Sequence, residues 1–397
     1  MSWKRLHDGL VRLVSLERRI DPFFRPAVDA LLREPLGTLA QALLRLVHET
    51  APDLPVHEQV LPGEEACVRS IIASMSDYSR TLYRPGTYER AGNSKTHGIV
   101  RGRFIIEPDL PAAFRHGVFA TPSEFPAWVR FAGPGPAPPP DIDDVGVLSF
   151  GIKLMGVPGP KLMDDERFTQ DFSGISTPTF TTPNVVENVK LQQWIGRELP
   201  LFYFINPRDS HLLDGIMQGL WARTQTSPLE TAYWSCVPYL LGEGQAMRYS
   251  LHPIGSARSR VPNLPGRPPD DYLRQAMAAT LRQSEAAFEF RVQLQTDPRR
   301  MPIEDASIRW PERLSPSVRV ARLVLPQQTF DSPAQLAFAR NLSYNPWHAV
   351  PEHRPLGNQN RARRAIYLEL SRLRQAMNGT PHVEPTGEET FDPGGGV

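Results

Sequence analysis

An arginine stands four residues before a tyrosine in "RNLSYNP", residues 340–346, and Pro346 follows directly after Asn345. Positions i and i+4 of a helix share one face, so Arg340 and Tyr344 are expected to stack together. Tyrosine keeps its proton at neutral pH, with a reference pKa of about 10. A fixed guanidinium beside the oxygen favours the phenolate, and a phenolate can bond ferric iron. The pair therefore reads as an anionic metal ligand with its counter-charge. It reads equally as a core tyrosine at a helix end beside a surface arginine, and the spacing alone leaves both open. His348, Glu352 and His353 come next, but their spacing is not HExxH and prolines flank them. They are expected to make structural contacts or to pack at the edge of a bound group rather than to hold a metal.

A helix must present the pair. Asp331 or Ser332 can cap it, Pro333 suits its first turn, and Pro346 disfavours helix at Asn345, so it is expected to stop near Tyr344. Further helical patterns fall around 184–195, 207–224 and 270–286. The first 50 residues carry apolar positions at helical spacing, punctuated by Pro22, Pro26 and Pro35. They read as two or three short amphipathic helices packed on the main body, with a membrane-surface or dimerisation arm as the alternative. From about residue 95 the texture changes to β-like runs: "GIVRGRFIIEP", "AWVRFAG", "VLSFGIKLMGV", "QAMRYSLHPI", "FEFRVQLQT" and "VRVARLVLP". No regular crossover helices separate them, which argues against a doubly wound parallel sheet and for a curled or closed antiparallel one. "GPGPAPPP" at 133–140 reads as an exposed loop, and "RARRAIYLELSRLRQ" as a solvated, partly ion-paired helix.

The balance of 44 Lys and Arg against 43 Asp and Glu gives a net charge of +1, which argues against a nucleic-acid binder that relies on a basic face. Two cysteines, Cys67 and Cys236, make no disulfide framework and no CxxC pattern, so a reducing, cytoplasmic setting is expected. No signal peptide and no transmembrane stretch is apparent.

The segment "RNLSYNPWHAVPEHRPLGNQNRARRAIY" resembles the catalase-related heme proteins, a family that includes compact bacterial catalase-like proteins and the coral allene oxide synthases. "KTHGIVRGRF", "AWVRFAG", "YWSCVPYLLGEGQAMRYSLHP" and "MPIEDASIRWPE" resemble further family motifs in the same order, over roughly 85–375. The resemblance implies an α+β fold, a catalase-like antiparallel β-barrel with surrounding helices. It also implies heme b beside the barrel, Tyr344 as proximal iron ligand, Arg340 as its charge partner, His97 as distal acid–base group and Arg130 on a heme propionate. The organisation expected is a helical extension over 1–80, a heme domain over 81–375 and a disordered tail over 376–397.

Three departures separate the chain from catalases proper. "QDFSGISTPTF" has Ile175 and Ser176 where an asparagine is expected, leaving Ser176 as a shorter distal donor. "VLSFGIKLMGV" lacks a usual arginine, and Thr96 replaces a common valine beside His97. A threonine there is a feature of the allene oxide synthase branch, where its hydroxyl is expected to draw the imidazole away from hydrogen peroxide. The expected activity is therefore peroxide-driven oxidation of an organic or fatty-acid hydroperoxide. Hydrogen peroxide dismutation and non-catalytic heme or lipid binding are the alternatives, and a peripheral membrane contact and a homodimer remain open.

Overall fold

The computed structural model describes residues 3–48, 51–255 and 258–391. Nine strands form one antiparallel sheet: β1 (Thr96–Ile106), β2 (Glu124–Ala132), β3 (Ser149–Leu154), β4 (Gln170–Ile175), β5 (Tyr233–Trp234), β6 (Tyr239–Leu240), β7 (Ala246–Ile254), β8 (Ala286–Leu294) and β9 (Val318–Leu325). Their order is β5-β4-β3-β2-β1-β9-β8-β7, and a β5–β7 pairing closes the ring into an eight-stranded barrel. Among the named strands β6 pairs only with β7, as a short flap at the rim. Closure leaves no long unpaired edge. Alternation sets the core, because residues two apart share a face. Val129 and Phe131, Phe150 and Ile152, Tyr249 and Leu251, and Phe288 and Phe290 all pack inside the barrel. The residues between them on β2 and β3, among them Trp128, Arg130, Gly151 and Lys153, belong to the opposite face.

Nine helices surround the barrel among the described residues: α1 (Trp3–Leu31), α2 (Arg33–Val47), α3 (Glu64–Leu82), α4 (Val185–Gly196), α5 (Phe202–Ile205), α6 (Leu212–Trp221), α7 (Tyr272–Gln283), α8 (Pro333–Asn341) and α9 (Asn358–Asn378). None is long and apolar enough to cross a membrane. The expected prolines do not break α1, which runs 29 residues through Pro22 and Pro26. Pro22 deprives the Arg18 carbonyl of its amide partner, and the Thr224 hydroxyl donates to that carbonyl instead.

Two loops expected to be loose are folded. Segment 133–140 is held by the Lys95 ammonium on the Pro139 carbonyl, by the Tyr83 hydroxyl on Pro136, and by the Asn93 and Ser94 amides. The tail, expected disordered from 376, continues α9 to Asn378. It then crosses the outer face of β2, where Phe391 packs on Trp128 and the Trp128 indole donates to Glu389 at 2.7 Å. The arginine-rich helix, expected to be solvated, is α9, and it buries Ile366 and Arg374. The glycines of "DPGGGV" lie outside the described residues.

Candidate functional site

Register builds the site. On the outer face of the barrel Arg130 of β2 stands opposite Gly151 of β3, which stands opposite Ser173 of β4. These residues, with Ile175 and Tyr344, line a cavity of about 510 Å³ enclosed by helices from both ends of the chain. That volume lies in the range of small-molecule sites, about 300–1,000 Å³. Gly151 is required for close approach: a Cβ there would lie 2.9 Å from Cδ1 of Tyr344. Five arginines line the cavity, Arg18, Arg90, Arg130, Arg363 and Arg374, and among the described residues no Asp or Glu does. Guanidiniums around an apolar space, with no carboxylate in the wall among the described residues, favour an anionic guest with an apolar body.

Tyr344 enters this cavity from the turn after α8, and not from the helix itself. Ser332 caps the helix as expected, accepting from the Gln335 amide at 3.2 Å, but the helix ends at Asn341, three residues early. Arg90 donates to the carbonyls of Ala339 and Leu342, and Arg374 donates to Asn341 and Leu342. These guanidiniums satisfy the open carbonyls of the last turn and stop the helix there. The expected Arg340–Tyr344 stacking is consequently not made. Arg340 pairs with Glu89 at 2.7 Å and is half exposed, while the Arg90 guanidinium lies 5.9 Å from the centroid of the Tyr344 ring. The Tyr344 hydroxyl donates to the Trp128 carbonyl at 3.2 Å. Burial pushes its pKa up and Arg90, followed by Arg130, pulls against that shift. The counter-charge anticipated from Arg340 is thus supplied by Arg90, which no motif in "YERAGNS" announces.

Arg130 lines the cavity, as its assignment requires. Its Nε and Nη2 donate to the Thr96 hydroxyl oxygen at 3.0 and 2.8 Å, and Nη2 also to the Asn93 carbonyl. The Thr96 hydroxyl oxygen is therefore engaged by Arg130, where a contact with the His97 imidazole had been anticipated. Ser176 also differs from expectation. Its hydroxyl oxygen accepts from the Leu148 amide at 2.8 Å, extending the β3–β4 ladder, and Ile175 is the residue that faces the cavity.

His97 occupies a bulge: Thr96 opposes Ala132 and Gly98 opposes Phe131, so His97 has no cross-strand partner. Bulges re-aim side chains and cluster near active sites. The imidazole is buried, and neither ring nitrogen has a hydrogen-bond partner. It does not itself line the cavity. It sits one residue behind the wall, since a Cβ on Gly133, the neighbour of wall residue Pro134, would lie 3.7 Å from His97 Nε2. Burial, helped by Lys95, Arg274 and Arg130, holds its pKa well below the usual histidine range. Asp144 packs beside the same glycine, its own pKa raised by burial to about 6.

Behind Tyr344 lies a buried ion cluster. Lys153 of β3 stands opposite Asp171 of β4 and pairs with it at 2.7 Å and with Glu166, and its ammonium lies 5.7 Å from the Tyr344 ring centroid. His348 joins through Nδ1 to Asp171 at 2.9 Å and Nε2 to Asp165 at 3.1 Å. Glu166, Asp171 and His348 have the spacing of a cation site, but the Lys153 ammonium already occupies the place between the two carboxylates. His348 and His353 are structural, as read: the latter accepts from the Val118 amide at 3.0 Å. The carboxylates Asp165 and Asp171 raise the His348 pKa to about 9 against the cost of burial. A histidine raised in this way contributes stability in full below its unfolded pKa of about 6.5. That contribution is lost as pH rises through about 9. The free energy of unfolding from urea titrations should therefore fall between pH 7 and 9.5, by about 2 kcal/mol, and His348→Gln should flatten the slope. An unchanged slope in that variant would remove His348 as its source.

No protein-family model matches the chain, and no curated protein matches it. Solved structures do. The chain is similar to a fungal catalase at 15% identity and TM-score 0.58, over 87% of this chain and 70% of that one. It is similar to catalase A from Saccharomyces cerevisiae at 14% identity and TM-score 0.59, over 87% and 72%. It is similar also to a bacterial catalase at 16% identity and TM-score 0.55, over 88% and 71%. The expected catalase-like barrel is therefore the fold of this chain, and at these identities the likeness is one of fold.

Proposed function

We propose that the cavity holds heme b and that the protein is a peroxide-utilising oxidoreductase acting on organic hydroperoxides. The observation that carries this is the wall itself: a phenol among five arginines and no carboxylate, beside a catalase-fold barrel. The residues fit the group. Tyr344 would supply the iron ligand, with Arg90 and Arg130 compensating the phenolate, and Arg130, Arg363 and Arg374 are the cations available to propionates. Heme held there would supply the redox-active iron at which a peroxide O–O bond is reduced.

The remaining work belongs to the chain's own side chains. His97, held neutral, is in the form that takes up a proton at a ring nitrogen and returns it. Thr96 holds Arg130 in place through its hydroxyl oxygen. Ile175, standing where an amide was expected, leaves the adjoining wall apolar and suits an alkyl hydroperoxide better than hydrogen peroxide. One observation favours a second reading, a heme or lipid carrier without turnover: His97 does not line the cavity.

Product analysis separates the readings. The heme-loaded protein should consume a fatty-acid hydroperoxide and release little oxygen from hydrogen peroxide. Oxygen evolution as its fastest reaction would mark a catalase, and no peroxide consumption would leave the carrier.

A further inference from the structure

α1 is folded inside out. Its buried residues are all polar: His7, Arg18, Asp21 and Arg25. They are matched to the body by specific contacts. Arg18 donates to the Val145 carbonyl at 2.9 Å, Asp21 accepts from the Thr224 amide at 2.7 Å, and Arg25 donates to the Leu220 carbonyl. Its large apolar residues point away. Leu13, Leu16, Phe23 and Leu31 are 58–71% exposed, and with Leu6 and Ile20 they fall within an arc of roughly 100° at 3.6 residues per turn. α2 buries Ala40 and Leu44 but also exposes Leu39 and Leu46. A helix of 29 residues is about 43 Å long, so this is a continuous apolar ridge and not scattered exposure.

The two helices carry a net positive charge. Over residues 3–47 Lys and Arg number eight against five Asp and Glu, in a chain otherwise slightly acidic. Arg12 and Arg19 recur at i and i+7 along the border of the ridge, and Phe23 is its most exposed aromatic. Leucine and aromatic side chains on one face, with arginines at its border, are the composition of a helix that lies in a lipid–water interface. The positive excess disfavours a second copy and favours an anionic surface. The opposite, inward face of α1 adjoins the site: Val14 and Arg18 line the cavity.

We propose that α1, with α2, docks the protein on an anionic lipid bilayer. The docking is independent of heme.

The test is co-sedimentation of the full chain with phosphatidylcholine vesicles, with and without a share of phosphatidylglycerol. It needs neither heme nor turnover, so its result is separate from that of the hydroperoxide assay. Wild type should pellet with the anionic vesicles, more weakly with neutral ones. The pair Leu16→Ser and Phe23→Ser, both exposed and outside the core, should lower partitioning at least about tenfold. Protein left in the supernatant, binding unchanged in the double variant, or equal binding to neutral vesicles would each overturn the proposal. So would a wild-type dimer, seen by analytical ultracentrifugation, that the same substitutions dissociate without any vesicle binding.

Discussion

His97→Gln should lower hydroperoxide turnover by about 10²–10⁴-fold, the range for removing a positioned general acid–base group, and leave the heme absorption spectrum in place. The expectation follows from what the structure does with this histidine. Burial and three nearby cations keep the ring neutral, and a bulge takes it out of the β1–β2 ladder. Neither nitrogen has a hydrogen-bond partner, the Asp141 carboxylate standing 3.7 Å from Nδ1, in a buried setting where a polar atom that serves only packing is ordinarily bonded. Glutamine keeps a polar side chain of similar reach but cannot exchange a proton near neutral pH. Turnover within a few-fold of wild type would assign the proton transfer to another group.

The second large effect is on stability. Lys153→Met should cost about 3–5 kcal/mol, because it strands Glu166 and Asp171 as buried carboxylates. Lys153, Glu166 and Asp171 are all essentially inaccessible, and His348 alone cannot replace an ammonium placed between two acids. The cost lies in the unpaired anions and not in the lysine itself. Combining Lys153→Met with Glu166→Gln and Asp171→Asn should therefore recover part of the loss. Urea unfolding of the three proteins measures both values. A single variant as stable as wild type, or a triple variant worse than the single, would contradict the charge account.

The barrel was largely legible because its main strands alternate cleanly. The runs "GIVRGRFIIEP", "AWVRFAG" and "FEFRVQLQT" coincide with β1, β2 and β8. β4 reads from the sequence only as a distal segment, since "QDFSGI" mixes a carboxylate, a serine and a glycine and becomes a strand by pairing with β3. β5 and β6, two residues each, carry no periodic signal at all. Tyr344 and Arg130 were identified and both line the cavity. Arg90 and Arg374 were not, because their role arises from capping α8 across long sequence separations. The same capping explains why Arg340, adjacent by spacing, turns to Glu89. Thr96 and Ser176 were expected to act through their hydroxyls, which the structure engages with Arg130 and the Leu148 amide. Leucines in α1 signalled a helix without revealing that its polar side faces inward.

The central claim is a tyrosinate-ligated heme at Tyr344, and the most direct measurement is the absorption spectrum of the heme-supplied protein beside that of Tyr344→Phe. Wild type should give a ferric spectrum of the tyrosinate type, and the variant should lose it, with Arg90 and Arg130 still lining the cavity. Failure of wild type to take up heme, or a spectrum unchanged in Tyr344→Phe, would contradict the account.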